Sequence, residues 1–107
     1  MLPFHLSSVD ICIILSNLLE NALKACAKVK NIRDRKLAIF STVKDGKFYL
    51  SVSNSYEGEV EIVDGIPQTE ADGHGMGVNS IASIVKNNNG TFLYEAENGI
   101  FTFKMIN

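Results

Sequence analysis

Cysteine, histidine and proline occur only twice each in the 107 residues, and tryptophan not at all. The scarcity of cysteine removes disulfide and zinc frameworks. Cys12 and Cys26 stand fourteen positions apart on one predicted helix, roughly 21 Å at a rise of about 1.5 Å per residue, too far to bridge. No second cluster of cysteine or histidine lies beside them to complete a zinc site. They read as small core hydrophobes in a reducing cytoplasm.

A surplus of positive charge is also missing. The net charge is −2, which argues against nucleic acid or direct membrane contact. The longest apolar run, Ile11 to Leu15, falls far short of the roughly 20 residues that span a bilayer. Met1 to Leu6 has no basic start and no cleavage-like site, so it is not read as a signal peptide. With Pro3 discouraging helix, it reads as an extended lead-in, the cut end of something longer.

What is present is ordinary for a folded domain: 46% apolar and 21% charged residues, enough for one domain, 1–107, with a single modest core. The chain is organised around Asp10 to Ala27. Ser7-x-x-Asp10 resembles a capping box, and the helix it opens runs to about Lys28. Leu15, Leu19, Ala22 and Cys26 form the expected inward stripe, flanked by Ile11 and Leu18. Asn17 and Asn21 share a different face with Lys24. Asparagine suits such an apolar helix poorly, because its amide competes for backbone hydrogen bonds. A face of two amides and one ammonium therefore looks built to hold something polar. The plainer alternatives are helix-capping or interhelical amides and an exposed Glu20–Lys24 ion pair.

Lys28 to Arg35 is a charged connector. Lys36–Val43 and Phe48–Asn54 are β-rich runs around Asp45-Gly46, a hairpin signal. From Ser55 to about Gly75 the chain is acidic and carries no period beyond a short strand at Val60–Val63. A loop of about 20 residues in so small a domain is usually functional. Helical spacing returns from Gly77 to Asn87, ending in Asn87-Asn88-Asn89-Gly90, any of which can take a left-handed stop. Thr91–Glu95 and Gly99–Ile106 form a second strand pair around Glu97-Asn98-Gly99. Helix, two strands, long loop, helix, two strands is the order of an α+β two-layer sandwich, with helices on one face of a mixed sheet.

The second chemical feature is Gly73-His74-Gly75-Met76-Gly77-Val78, three alternate glycines running into a helix. Glycine admits close backbone approach, and a helix start adds free N–H donors and a favourable dipole, so together they make a phosphate cradle. No Gly-Lys-Ser/Thr follows, so it is not a Walker loop. No strand leads directly into it, so it is not a dinucleotide fingerprint. A triphosphate needs a divalent cation, and an amide on the first helix offers one hard oxygen for Mg²⁺. Lys24 supplies a point charge for a phosphate.

Asn17-Leu-Leu-Glu-Asn21-Ala-x-Lys24 resembles the N-box of the GHKL superfamily (gyrase B, Hsp90, histidine kinases, MutL) in its histidine-kinase form. Gly73-His-Gly-Met-Gly-Val-x-Ser80-Ile81 is similar to the box that closes its ATP lid, and Gly99-Ile-Phe101-Thr-Phe103 to its terminal strand. With Asp64-Gly65-Ile66-Pro67 ahead of it, the His-Gly-Met-Gly-Val form resembles the AgrC-like quorum-sensing branch of sensor kinases. The resemblance covers nearly the whole chain and implies the Bergerat ATP-binding fold. It implies that Asn21 holds Mg²⁺, that Asn17 meets phosphate or the metal's water shell, and that Lys24 meets a phosphate. Gly73, His74, Gly75, Met76, Gly77 and Val78 would surround the nucleotide.

Two departures stand out. The family's adenine-binding Asp-x-Gly-x-Gly is missing; Ser53-Asn54-Ser55 occupies that strand end, where the Asn54 carbonyl can accept from the adenine amino group. Hydrolytic members carry a glutamate base where this chain has Asn17. An amide cannot take a proton from water, so transfer to a histidine fits better. The expected protein is the ATP- and Mg²⁺-binding catalytic part of a larger cytoplasmic sensor kinase. Its partners would be a phosphoacceptor-histidine dimerisation domain of the same protein and a response regulator. A degenerate non-catalytic module and an anti-sigma-factor type of serine kinase are the alternatives.

Overall fold

The structure, a computed structural model, describes residues 7–68 and 74–107, with 68 and 74–80 described by backbone alone. Helix α1 spans Ser8–Ala27 and α2 His74–Asn87; the strands are β1 Leu37–Lys44, β2 Lys47–Ser55, β3 Glu61–Val63, β4 Ile66–Gln68, β5 Thr91–Glu97 and β6 Ile100–Ile106. Four strands form one sheet in the order β1-β2-β6-β5, while β3 and β4 pair separately. The α+β two-layer sandwich stands, and every described strand pair is antiparallel where a mixed sheet was expected.

Local chemistry fixes the element ends. Ser7 caps α1, its hydroxyl accepting from the Asp10 N–H at 3.0 Å, the first half of a capping box. At the other end Arg35 donates from Nε to the Val29 carbonyl at 2.9 Å and from Nη2 to that of Ala27 at 3.1 Å. That places a cation where the helix dipole is negative. The tight turns at Asp45-Gly46, Asp64-Gly65 and Asn98-Gly99 all hold positive φ at both central residues, the geometry whose twist matches that of paired strands. Helix α2 stops at Asn89 (φ 62), and the Gly90 N–H reaches back to the Val85 carbonyl at 2.8 Å, closing a Schellman motif.

The core lies between the helices and the inner sheet face. Ile14, Leu18, Ala22 and Cys26 of α1 are buried, with Leu50, Val52, Phe103, Met105 and Tyr94 from the sheet and Ile81 and Val85 from α2. This corrects the expected stripe: Leu15 and Leu19 are half-buried rather than central. The buried row is a strict i, i+4 ridge beginning at Ile14, about 100° around the helix from Leu15 and on the side nearer the amides. The turn follows from α1 packing on α2 as well as on β2. It leaves Asn17 and Asn21 on the border of the core, both half-buried.

The segment between β2 and α2 also differs from expectation. Instead of a lone short strand at Val60–Val63 it holds the β3–β4 hairpin, whose Ile62 and Ile66 pack against the core. Helix α2 begins at His74, three residues before the expected start at Gly77.

Candidate functional site

The amides come first. Asn17 and Asn21 lie one turn apart on α1, half-buried, and neither side chain bonds to any described residue. A half-buried amide is costly unless protein, water or a ligand satisfies it. Lys24 is different. Its ammonium donates to Glu20 Oε1 at 2.9 Å on the exposed side of the helix. The plain ion-pair reading is what the structure contains, and a phosphate would compete with Glu20 for this cation.

Asn54 ends the inner row of β2, between Leu37 of β1 and Phe101 of β6, and is 4% exposed. Its Nδ2 donates to the Ser55 carbonyl at 3.0 Å. With the donor side occupied, the amide is oriented so that Oδ1, which bonds to no described residue, is the acceptor on offer. That is the polarity needed to receive an exocyclic amino group.

Asn54 owes its position to a brace that the sequence did not announce. The Ser55 hydroxyl donates to the Asp34 carbonyl at 2.7 Å and accepts from the Lys36 N–H at 2.9 Å. The Cys26 thiol donates to the Lys36 carbonyl at 3.2 Å and to that of Ser55 at 3.7 Å. Glu57 Oε1 accepts from the Lys30 N–H at 3.0 Å. These contacts tie the end of β2 to the connector and to the last turn of α1, so the strand end and the amide helix form one rigid corner.

The third wall is the start of α2. Its opening N–H groups, those of His74, Gly75 and Met76, have no acceptor within the helix. Gly75 and Gly77 therefore lie in the opening turn itself, where free donors and the dipole favour an anion. Gly73 falls outside the described residues. An open hollow of about 420 Å³ also runs along the outer side of α1, lined by Ser8, Val9, Cys12, Ile13, Ser16 and Asn17. It meets the amide face only at Asn17 and lacks the convergent polar groups of a nucleotide site.

Away from the site, burial pushes the Tyr94 phenol well above the ordinary tyrosine range. Among the described residues no group of three or more His, Cys, Asp or Glu is placed to hold a metal. A divalent ion here would instead rest on an amide oxygen, phosphate oxygens and water, the sparse donor set that suits Mg²⁺.

Compared with known proteins, residues 6–106 match the family model described as GHKL domain. No curated protein matches the chain.

Proposed function

The chain belongs to the GHKL family, and from that premise we propose that it is the Mg²⁺-ATP-binding catalytic domain of a bacterial sensor histidine kinase. GHKL domains bind ATP; the finer reading rests on this chain's own residues. The observation that carries it is the border position of Asn17 and Asn21, half-buried and bonded to no described residue, on the same helix whose last turn is braced to the strand end at Asn54.

In this reading the Asn54 carbonyl receives the adenine amino group, and the Ser55 carbonyl holds the amide in that sense. Asn21 offers its amide oxygen to Mg²⁺, which when bound neutralises charge on the phosphates. Asn17 orients phosphate oxygens or metal-bound water. The opening turn of α2, around Gly75 and Gly77, cradles the phosphates with backbone N–H groups, and the stretch from Ser55 to Gly77 acts as the lid. Lys24 joins only if the nucleotide outcompetes Glu20.

No side chain at the Asn17 position can act as base, so water is not activated there. A histidine supplied by another domain brings its own lone pair. Its nitrogen bonds to the γ-phosphorus as the bond to the β,γ-bridging oxygen breaks, and ADP leaves. That domain, a response regulator and a cytoplasmic place behind a membrane sensor complete the proposal. The AgrC-like branch remains a resemblance in the His74–Val78 motif.

Thermal melting tests it. A ligand that binds only the native state at about 100 times its Kd adds about 2.7 kcal/mol, so ATP with Mg²⁺ raises Tm, and EDTA reduces the rise. Asn21→Ala removes the Mg²⁺-dependent part and keeps the fold. Equal stabilisation of both proteins sinks the metal role. No stabilisation of the wild type at millimolar ATP favours the degenerate module, whose support is the missing Asp-x-Gly-x-Gly.

A further inference from the structure

The charge of the chain is unevenly placed. Seven of its ten Lys and Arg lie between residues 28 and 47, against two acids there, a local charge of +5 in a chain of net −2. At the centre of that stretch is β1, one of the two edge strands of the main sheet. All eight of its residues are exposed, because α1 lies mainly over β2. Phe40 is 63% exposed on the outer face and Ile39 and Val43 are 48% and 51% exposed on the inner one.

The backbone along this edge is patterned too. The Ser55 N–H donates to the Lys36 carbonyl at 2.9 Å, which with the register Leu37↔Asn54 makes the even residues of β1 the hydrogen-bonded ones toward β2. In an antiparallel pair the odd residues then aim N–H and C=O away from the partner. Leu37, Ile39, Ser41 and Val43 thus present four donor–acceptor pairs along the edge, and no described residue pairs with them. Natural edges are normally blunted by an inward charge, a proline or a bulge. Residues 37–43, Leu-Ala-Ile-Phe-Ser-Thr-Val, contain no charge and no proline.

We propose that β1 is a docking edge that takes an extended segment of another protein as an added strand, apolar in its middle and acidic at both ends. Strand addition supplies affinity through the backbone, and alternate side chains meet Leu37, Ile39 and Val43. Charge decides the occupant. Lys36 closes one end of the uncharged run and Lys44 the other, roughly 26 Å apart along eight residues, with Arg35 and Lys47 just beyond. A second copy pairing antiparallel about Phe40 would set Lys36 directly opposite Lys44 at both ends, which is destabilising. Acidic ends meet cations at both.

The test uses the whole chain and a fluorescein-labelled nonapeptide with a Val-Thr-Val-Tyr-Val core between acidic pairs, beside the same core between lysine pairs. The acidic peptide binds about tenfold tighter or more at low salt, and the gap narrows as salt rises. In an amide NMR titration Leu37, Ile39, Ser41 and Val43 shift and gain exchange protection, while Ala38, Phe40 and Thr42 stay. Ser41→Pro removes an outward N–H without breaking the ladder to β2, so it abolishes binding and leaves the circular dichroism unchanged. If that variant does not fold, the NMR pattern decides alone. Equal binding of the two peptides, or shifts away from the odd residues of β1, overturns the proposal. A wild-type dimer abolished by Ser41→Pro replaces the occupant with a second copy. Pelleting with phosphatidylserine vesicles that survives Ser41→Pro assigns the basic surface to a membrane instead. ATP affinity plays no part in any readout.

Discussion

Replacing Asn54 by aspartate sets two effects against each other. The Nδ2 donor 3.0 Å from the Ser55 carbonyl becomes a carboxylate oxygen, so a bond is lost and two acceptors face each other in a site only 4% exposed. A lost bond that also leaves a buried group unsatisfied costs about 1–3 kcal/mol, and about 2 kcal/mol is a fair expectation at neutral pH. Protonation repairs the contact, because a carboxylic acid can donate to the Ser55 carbonyl. The folded-state pKa is therefore raised above the unfolded value of about 3.9. A raised folded pKa means that the unfolded state gives up its proton first. The variant then matches wild type below about pH 4 and loses stability as pH rises through the folded pKa. For a domain of this size about 2 kcal/mol is a fall of about 10 °C in Tm. The wild-type amide does not titrate, so the difference between the two melting curves between pH 4 and pH 8 isolates the effect. Added ATP acts the other way, since an ionised acceptor makes a stronger hydrogen bond to an amino group: the variant gains more from nucleotide than wild type does. A constant offset across the pH range would refute the orientation assigned to Asn54, and a smaller gain from ATP would refute its contact with the base.

Other changes test the frame around the site. Tyr94→Phe raises stability by about 1 kcal/mol, because the buried phenol oxygen has no partner among the described residues and its removal spares an unsatisfied group; urea denaturation reads it. Gly90→Ala lowers stability by about 1–3 kcal/mol in the same assay, since a Cβ there would stand 2.8 Å from the Ile106 carbonyl oxygen and 3.0 Å from Val85 Cγ1. The amides of β3 and β4, strands of three residues each, exchange with deuterium well before those of β2 and β6, and gain protection when Mg²⁺-ATP is added.

The sequence was legible where a signal is local. Asp45-Gly46 and Asn98-Gly99 mark their turns by dipeptide chemistry, and the amides of α1 are conspicuous because their neighbours are apolar. The inward row of α1 was harder. Apolar residues stand at Ile14 and Leu18 as well as at Leu15 and Leu19, and only the position of α2 chooses between them. The β3–β4 hairpin was missed because three-residue strands hold too few positions to show alternation, although Asp64-Gly65 carries the same turn signal as Asp45-Gly46. Least legible was the brace behind Asn54. Ser55 and Cys26 bond to backbone carbonyls of the connector, and a carbonyl has no signature in the side-chain order.

Register across the sheet has one more consequence. Helix α1 with its hairpin and α2 with its hairpin are each built on contacts between near neighbours, and the two halves meet where α1 packs on α2 and at the β2–β6 seam, where Tyr49 pairs with Ile106 and Ser55 with Ile100. One stretch of backbone, residues 56 to 73, links them. Lengthening it at the exposed Asp64-Gly65 turn costs little, since doubling the length of a loop adds only about 0.6 kcal/mol of closure entropy. Insertions there leave the halves free to assemble, and a chain nicked at that link can be rebuilt from its two fragments. The stretch proposed to cover the nucleotide is thus the part of the chain freest to change in length.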